Sequence, residues 1–205
     1  MLSRQIFLKN GGIIFDFLIK KVIKVKNIVV IGASSSSKSI NRILAFHAAK
    51  SLDINCQITE LLLSDYEMPI YSEDLQSTTG IPKLALDFKK QITKSDGIII
   101  SLAEHNGSYT AAFKNIYDWI SVIETDVWCS KPIFLLSTST GPRGGKTILK
   151  SAHKRFSANY KYKIPYFSLP SFNDNFNSNE GITNVRLNQD FQEIVIDFEK
   201  ILNQI

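Results

Sequence analysis

The chain has 205 residues, of which 44% are hydrophobic and 21% are charged, and its formal net charge is +5. This length and composition are typical of one globular domain with a hydrophobic core, and they exclude disordered and fibrous proteins. Of the 24 basic and 19 acidic residues, six and one respectively lie in residues 1–26, which leaves 18 of each in residues 27–205. The domain therefore lacks the basic surface of a nucleic-acid-binding protein, and we expect no nucleic-acid partner.

Residues 1–26 come before the first predicted element, and we interpret them as an N-terminal extension of a domain that spans residues 27–205. The apolar part of the extension is short, is interrupted by Asp16 and lacks a small-residue cleavage site of the secretory type. No apolar stretch is long enough to cross a bilayer, and a segment lying on a membrane surface is the alternative interpretation. We expect the extension to be disordered or not native, dispensable for folding, and without a membrane partner.

The two cysteines, Cys56 and Cys129, lie far apart in the sequence, and neither has a Cys or His nearby at the spacing of zinc ligands. Isolated cysteines are typical of a reducing compartment rather than of a disulfide framework. We therefore expect a cytoplasmic protein without a metal site.

Strand-like and helix-like patterns alternate along residues 27–205. Short aliphatic and β-branched runs predict strands at residues 27–32, 56–63, 97–102, 132–137 and 163–168. Apolar positions at helical spacing predict helices at residues 39–52, 81–95, 108–123, 145–159 and 187–201. Pro82 is expected in the first turn of the second helix and Ser108 as the N-cap of the third, and residues 67–75 and 173–184 are expected to be polar loops. This alternation indicates an α/β domain with a doubly wound parallel sheet.

Ligands of doubly wound sheets bind beyond the carboxyl ends of the strands. The informative segments are therefore the loops after the first, third and fourth predicted strands. These loops read GASSSSKSIN (32–41), AEHNGSYT (103–110) and STSTGPRGG (137–145).

The first loop carries hydroxyl and amide side chains at the start of a helix, where they and the helix amides can form an anion site. These side chains belong to Ser34, Ser35, Ser36, Ser37, Ser39 and Asn41. We predict that the loop binds a phosphate group, and serines that only cap the helix are the alternative. A triphosphate is disfavoured, because Ser37 replaces the second glycine of G-x-x-x-x-G-K-[ST] and no Asp closes the third strand.

The second loop contains Asn106-Gly107, which predicts a tight turn, next to Glu104 and His105. These polar side chains suit a flat ligand, and a solvated strand-to-helix turn is the alternative. The third loop is expected to be flexible, with glycine amides that reach the polar edge of a ring, and a mobile turn without a ligand is its alternative.

Together, the loops resemble the NADPH-dependent FMN reductases. The family pattern G-S-x-R-x-x-S-x-N corresponds to ASSSSKSIN (33–41), and P-E-Y-N-x-S-x-P-x-x-L-K-N-x-x-D-W corresponds to AEHNGSYTAAFKNIYDW (103–119). The matching positions are Ser34, Ser39 and Asn41 in the first pattern, and Glu104, Asn106, Ser108, Lys114, Asn115, Asp118 and Trp119 in the second. Departures from the family are Ser36 for arginine, Ala103 and His105 for proline and tyrosine, and Thr110 for proline.

The resemblance implies a flavodoxin-like fold with strand order 2-1-3-4-5 and helices on both faces of the sheet. It implies FMN as cofactor and NADPH or NADH as co-substrate, with no catalytic side chain. The implied FMN contacts are Ser34, Ser36, Ser39 and Asn41 for the phosphate, Glu104, His105, Asn106 and Gly107 for the isoalloxazine, and Ser139, Thr140 and Gly141 for its pyrimidine edge.

The implied activity is a ping-pong hydride transfer from NAD(P)H to FMN and on to a quinone, azo, metal-oxyanion or flavin acceptor. The resemblance also implies a homodimer or homotetramer, for which Tyr109, Tyr117 and Trp119 are candidate contacts. Packing in the core is the alternative for these aromatic residues, and for Trp119 it is at least as well supported. An FMN-binding electron carrier or sensor is the first alternative, although the neutral domain lacks the acidic surface of such carriers. A kinase-like phosphate site and an interaction module without flavin are the others.

Overall fold

The structure, a computed structural model, describes residues 25–205 and, before them, only the backbone of the paired strands Leu8–Lys9 and Gly12–Ile13. The prediction for residues 1–26 therefore falls mostly outside the described residues. Within its range, Lys26 already belongs to the first strand of the domain.

A five-stranded parallel sheet forms the centre of the domain. Its strands are β1 (Lys26–Ala33), β2 (Cys56–Glu60), β3 (Gly97–Leu102), β4 (Ile133–Thr138) and β5 (Tyr166–Leu169), in the spatial order β2-β1-β3-β4-β5. Every residue of β3 and β4 is buried, which explains why these strands read as continuous apolar runs. The predicted parallel sheet and its strand order 2-1-3-4-5 are confirmed.

Helices cover both faces of the sheet. They are α1 (Ile40–Lys50), α2 (Glu73–Thr79), α3 (Lys83–Lys94), α4 (Ala111–Ser121), α5 (Lys146–Ser157), α6 (Phe172–Asn175) and α7 (Val185–Leu202). Phe88, Ile116 and Leu149 of α3, α4 and α5 join one core cluster, and Leu44 and Phe198 of α1 and α7 join the other. No helix in residues 25–205 is long and apolar enough to span a bilayer.

Some local predictions were wrong. β2 ends at Glu60, and a 3-10 turn (Leu63–Tyr66) follows where the strand was expected to end. The helix α2 begins within the first predicted loop, residues 67–75. Ser72 caps this helix, because its Oγ accepts a hydrogen bond from Leu75 N at 3.1 Å. The second predicted loop, residues 173–184, contains most of α6 and a hairpin of β6 (Phe176–Asn177) and β7 (Gly181–Ile182). Pro82 is the N-cap of α3 and not part of its first turn.

Gly32 lets the end of β1 approach the first turn of α1. A Cβ on Gly32 would lie 2.5 Å from Arg42 Cα and 2.7 Å from its backbone nitrogen, so no side chain fits unless the helix moves. Arg42 also reaches Glu60 at the end of β2, with Nε–Oε1 at 2.5 Å and Nη2–Oε2 at 2.9 Å. Close approach and a two-point ion pair together fix the start of α1 over β1 and β2.

His47 of α1 anchors the β6–β7 hairpin. Its ring stacks on Phe191 of α7 with centroids 5.2 Å apart and meets the edge of Phe176 at 5.3 Å. Gly181, with a φ of +77°, lies directly against the ring, and a side chain there would collide with it. Burial lowers the pKa of His47, so the folded protein favours a neutral ring.

We expect Gly32→Ala to lower the free energy of unfolding by about 1–3 kcal/mol, because the added methyl group meets helix backbone rather than a side-chain end that can turn away. Urea denaturation would measure the change. Gly141→Ala is the matched control, since the nearest atom to its Cβ would be Ser139 Oγ at 3.9 Å. Equal stability of the two variants would contradict the importance of the close approach.

We also expect the protein to lose stability in mild acid. The pKa of His47 lies below 6.5 in the folded chain, so under mildly acidic conditions the unfolded chain binds a proton that the folded chain does not. The free energy of unfolding should therefore fall as the pH decreases from about 7.5 to about 5. Urea denaturation across this range would measure the slope, and His47→Gln should reduce it; an unchanged slope in the variant would refute the assignment.

Candidate functional site

Three loops meet at one edge of the sheet. They are residues 34–39, 103–110 and 139–145, which follow β1, β3 and β4. Because these strands are parallel and adjacent, their carboxyl ends and the loops that follow lie side by side. This edge is the candidate site.

The first loop presents hydrogen-bond donors at the N terminus of α1. Two of its amides donate to serine hydroxyls two residues earlier, at 3.2 Å each, which gives the loop a defined turn. Ser39 is the N-cap of α1: its Oγ accepts from Arg42 N at 3.1 Å, and its hydroxyl hydrogen is still available to donate. The amides of Ser35, Ser37 and Ile40 have no acceptor within residues 25–205. These donors and the positive end of the helix dipole fit a phosphate group.

Asn41 joins α1 to the sheet. Its Oδ1 accepts from Thr138 N at 3.0 Å and from Ser101 Oγ at 2.8 Å, and its Nδ2 donates to Thr138 O at 3.0 Å. The residue is 3% exposed, so this side chain is committed to β3 and β4. The structure shows that Asn41 fixes the first loop beside the ends of the strands, and its implied contact with the phosphate stays a prediction.

Thr110 joins the second loop to the first. Its Oγ1 donates to Ala33 O at 3.0 Å and accepts from Phe113 N at 3.2 Å, so Thr110 is the N-cap of α4. It stands where the family pattern has proline. A proline offers no hydroxyl, so the hydrogen bond to the end of β1 depends on this departure from the pattern.

Ser108 was predicted as the cap of α4, and this prediction was wrong. Its backbone pairs with that of His105 in both directions, each bond being 3.0 Å long, across the Asn106-Gly107 turn. The two turn residues have φ values of +53° and +76°, typical of a two-residue hairpin of type I′. The predicted tight turn is confirmed, and it draws Ser108 away from the start of the helix.

Glu104 joins the second loop to α5, which follows the third loop. Its Oε2 accepts from Ile148 N at 3.1 Å. The N-cap residue of α5 is Gly145, which has no side chain, so Glu104 supplies a cap and a negative charge at this N terminus. The carboxylate of Glu104 therefore has a structural role in the site. The cap uses Oε2 and does not involve Oε1.

The third loop is tied to its neighbours, and the prediction of a flexible turn was wrong. The amides of Ser171 and Phe172 donate to the carbonyls of Gly141 and Ser139, both at 3.0 Å. The carbonyl of Gly144 accepts from one serine hydroxyl of β4 and one of β5, at 2.7 and 3.0 Å. Short-range polar contacts to both strands therefore give the loop a fixed shape.

The other predicted contact residues lie on the three loops. All except the buried Ser39 are exposed or half-buried: Ser34, Ser36, His105, Asn106, Gly107, Ser139, Thr140 and Gly141. The amides of Thr140 and Gly141 have no protein acceptor in the described part of the chain. The edge thus combines free donors on the first and third loops with an exposed turn between them.

Asn115 and Trp119, at the end of the second sequence pattern, hold a different loop. Asn115 Nδ2 donates to Met68 O and Pro69 O at 3.1 Å each, and its Oδ1 accepts from Tyr71 N at 2.9 Å. Trp119 Nε1 donates to Pro69 O at 2.8 Å. Trp119 is fully buried, which favours the alternative of core packing over contact between subunits.

Cavity size alone does not identify the site. A concavity of about 720 Å³ lies where the chain enters β5, between α5 and α7, and includes His153, Tyr160 and Tyr166. This position is at the amino end of the strand, away from the three loops. The donors at the carboxyl edge, rather than the volume, define the candidate site.

The sequence pattern of the NADPH-dependent FMN reductases matches residues 26–174, and the chain belongs to this family. The match covers every loop of the candidate site. The resemblance seen in the two sequence patterns is therefore confirmed.

Known relatives agree with this family. A quinone reductase of Escherichia coli (strain K12) is 30% identical over 106 residues, which are 52% of this chain and 54% of the relative. The chain thus spans about half the length of this relative. A 2-hydroxy-1,4-benzoquinone reductase of Burkholderia sp. is 34% identical over 132 residues, 62% of this chain and 67% of the relative. The fold resembles that of FerB, a flavoenzyme NAD(P)H:(acceptor) oxidoreductase of Paracoccus denitrificans, with a TM-score of 0.69, 22% identity and coverage of 88% and 98% of the two chains.

Substitution of Glu104 distinguishes two roles of this residue, the cap of α5 and a contact with the ligand. Glu104→Ala removes the cap of α5 and should lower the free energy of unfolding by about 1 kcal/mol, whereas Glu104→Gln keeps an acceptor oxygen and should lower it less. Urea denaturation measures both. If Glu104 acts as a cap, the dissociation constant of FMN should be nearly unchanged in Glu104→Gln; a large increase would instead indicate a direct contact with the flavin.

Proposed function

We propose that the chain is an FMN-dependent NAD(P)H oxidoreductase that passes a hydride from NAD(P)H, by way of FMN, to a small-molecule acceptor such as a quinone, an azo compound, a metal oxyanion or a free flavin. The observation that carries this proposal is the set of amide donors at the N terminus of α1 that have no acceptor within residues 25–205, held beside the second and third loops. Membership of the NADPH-dependent FMN reductase family supports it.

The residues of the three loops would bind and orient the cofactor. The hydroxyls of Ser34, Ser36 and Ser39, with the free amides of their loop, are the proposed partners of the phosphate. The isoalloxazine would lie against the 105–107 turn and the backbone of residues 139–141. Bound FMN would supply the hydride-accepting chemistry, so no side-chain nucleophile is required.

Two predicted contacts take a different role in this proposal. Asn41 and Glu104 hold the loops through hydrogen bonds to protein atoms. We assign them as positioning residues. Their substitution should then change stability first and cofactor affinity as a consequence.

The alternatives have less support. An electron carrier would need a charged surface for its redox partner, and residues 27–205 have no net charge. A kinase-like triphosphate site conflicts with the family match and with Ser37 at the position of the motif's second glycine.

We propose a homodimer or homotetramer whose contact includes Tyr109 and Tyr117, which are half-buried on and beside α4. We also propose a cytoplasmic protein, in keeping with the free thiols Cys56 and Cys129. The part of the extension before Val25 is proposed to be dispensable, and refolding of a chain that starts at Val25 would test this.

The decisive measurement is the visible absorption spectrum of the protein with FMN, before and after anaerobic addition of NADPH or NADH. Flavin bands that bleach, followed by steady oxidation of the nicotinamide when a quinone is added, would support the oxidoreductase. Bleaching without turnover would favour a carrier or sensor. A protein that fails to bind FMN would overturn the proposal.

We expect Ser36→Arg to tighten FMN binding, because it restores the cation that the family pattern places at this position. A charge-assisted contact with a phosphate should lower the dissociation constant about three- to tenfold. Fluorescence titration of FMN would measure it. Ser35→Arg adds the same charge one residue away and is the matched control; an equal gain in both variants would indicate general attraction rather than a specific position.

A further inference from the structure

A groove of about 580 Å³ begins at the first loop and runs along α1. We call it the α1 groove. One wall is a helical stripe of α1 and the other is the β6–β7 hairpin. Residues that define it are Lys38, Phe46, His47, Lys50, Phe176 and Glu180. Its volume lies in the range of small-molecule sites, and it opens directly beside the proposed phosphate position.

The groove contains a buried polar atom without a partner. Nε2 of His47 is buried and makes no hydrogen bond within residues 25–205. Buried polar atoms of folded proteins are nearly always paired with protein or with another molecule. His47 lines the groove, and its ring is held by Phe176, Phe191 and Gly181, so a ligand that enters the groove would lie beside this ring.

The rest of the groove matches the parts of a nucleotide. Phe46 and Phe176, both half-buried, offer apolar faces to a flat base. Lys38 and Lys50 stand near its two ends and suit a phosphate. The carboxylate of Glu180 suits the hydroxyls of a ribose, as acidic side chains do in many dinucleotide sites, and it disfavours a ribose that carries a 2′-phosphate.

We propose that the α1 groove binds the adenosine phosphate half of a dinucleotide with free ribose hydroxyls. The other half would occupy the three-loop edge, and this part rests on the proposed function. Both NADH and FAD carry such a group. The α1 helix, whose eleven residues span about 15 Å, gives the groove the length for it.

Calorimetric titration of the FMN-loaded protein with 5′-ADP tests the proposal. We expect binding, with a dissociation constant raised roughly three- to fivefold in Lys50→Gln. Lys94→Gln, at the last residue of α3, is the matched control and should bind as the original protein does. Adenosine 2′,5′-bisphosphate should bind more weakly than 5′-ADP, and Glu180→Gln should reduce this difference.

A second readout reports on His47 directly. The chain has three histidines, so their ring nitrogens can be followed by NMR. The His47 Nε2 resonance should shift when 5′-ADP is added. Absence of 5′-ADP binding would overturn the proposal. Binding that leaves the His47 resonance unshifted and has the same dissociation constant in Lys50→Gln would also overturn it.

Titration of the flavin-free protein with FAD and with FMN distinguishes the two possible sources of the adenosine group. Binding of FAD more tightly than FMN would identify FAD as the ligand, and equal affinities together with 5′-ADP binding would identify NADH. A protein that binds 5′-ADP but not FMN would leave the groove assignment in place and overturn the proposed function.

Discussion

The buried side chain of Asn41 is the contact on which the site depends. It pairs with both backbone groups of Thr138 as a further strand would, and it also accepts from Ser101. One amide therefore fixes α1 against two strands at their carboxyl ends. An amide suits this position because it offers a donor and acceptors on one rigid group, and an unpaired buried carbonyl or amide would cost about 1–3 kcal/mol.

Thr110 and Glu104 extend the same arrangement to the other loops. Each sends one side chain from its own loop to the backbone of a neighbouring element. Loops held in this way have lost most of their conformational freedom before a ligand arrives, so binding orders fewer residues. The exposed tips at Ser36, Asn106 and Thr140 can then be polar and accessible while their bases remain fixed.

The sequence predicted the strands of the sheet well. It predicted the helix caps and the contacts between the loops less well. Buried parallel strands such as Gly97–Leu102 are marked by local runs of apolar residues, and their ends were predicted well. The cap of α4 was misplaced because Ser108 and Thr110 are both good caps, and only the hairpin at 105–108 decides between them. The hydrogen bonds of Glu104 and Asn41 could not be predicted from the sequence, because their partners, Ile148 and Thr138, are distant along the chain. The fixed third loop was missed for the same reason, since its bonds go to the segment after β5.

The contacts of Asn115 and Trp119 change the interpretation of the longer sequence pattern, residues 103–119. Both side chains form hydrogen bonds with the backbone of the 67–71 segment. The second half of this pattern therefore contains residues that attach α4 to a neighbouring loop. This role does not depend on the ligand that binds at the edge of the sheet. A chain that had lost its cofactor could still keep these two residues for their contacts with the 67–71 segment, so their presence in a sequence indicates the scaffold more than the ligand.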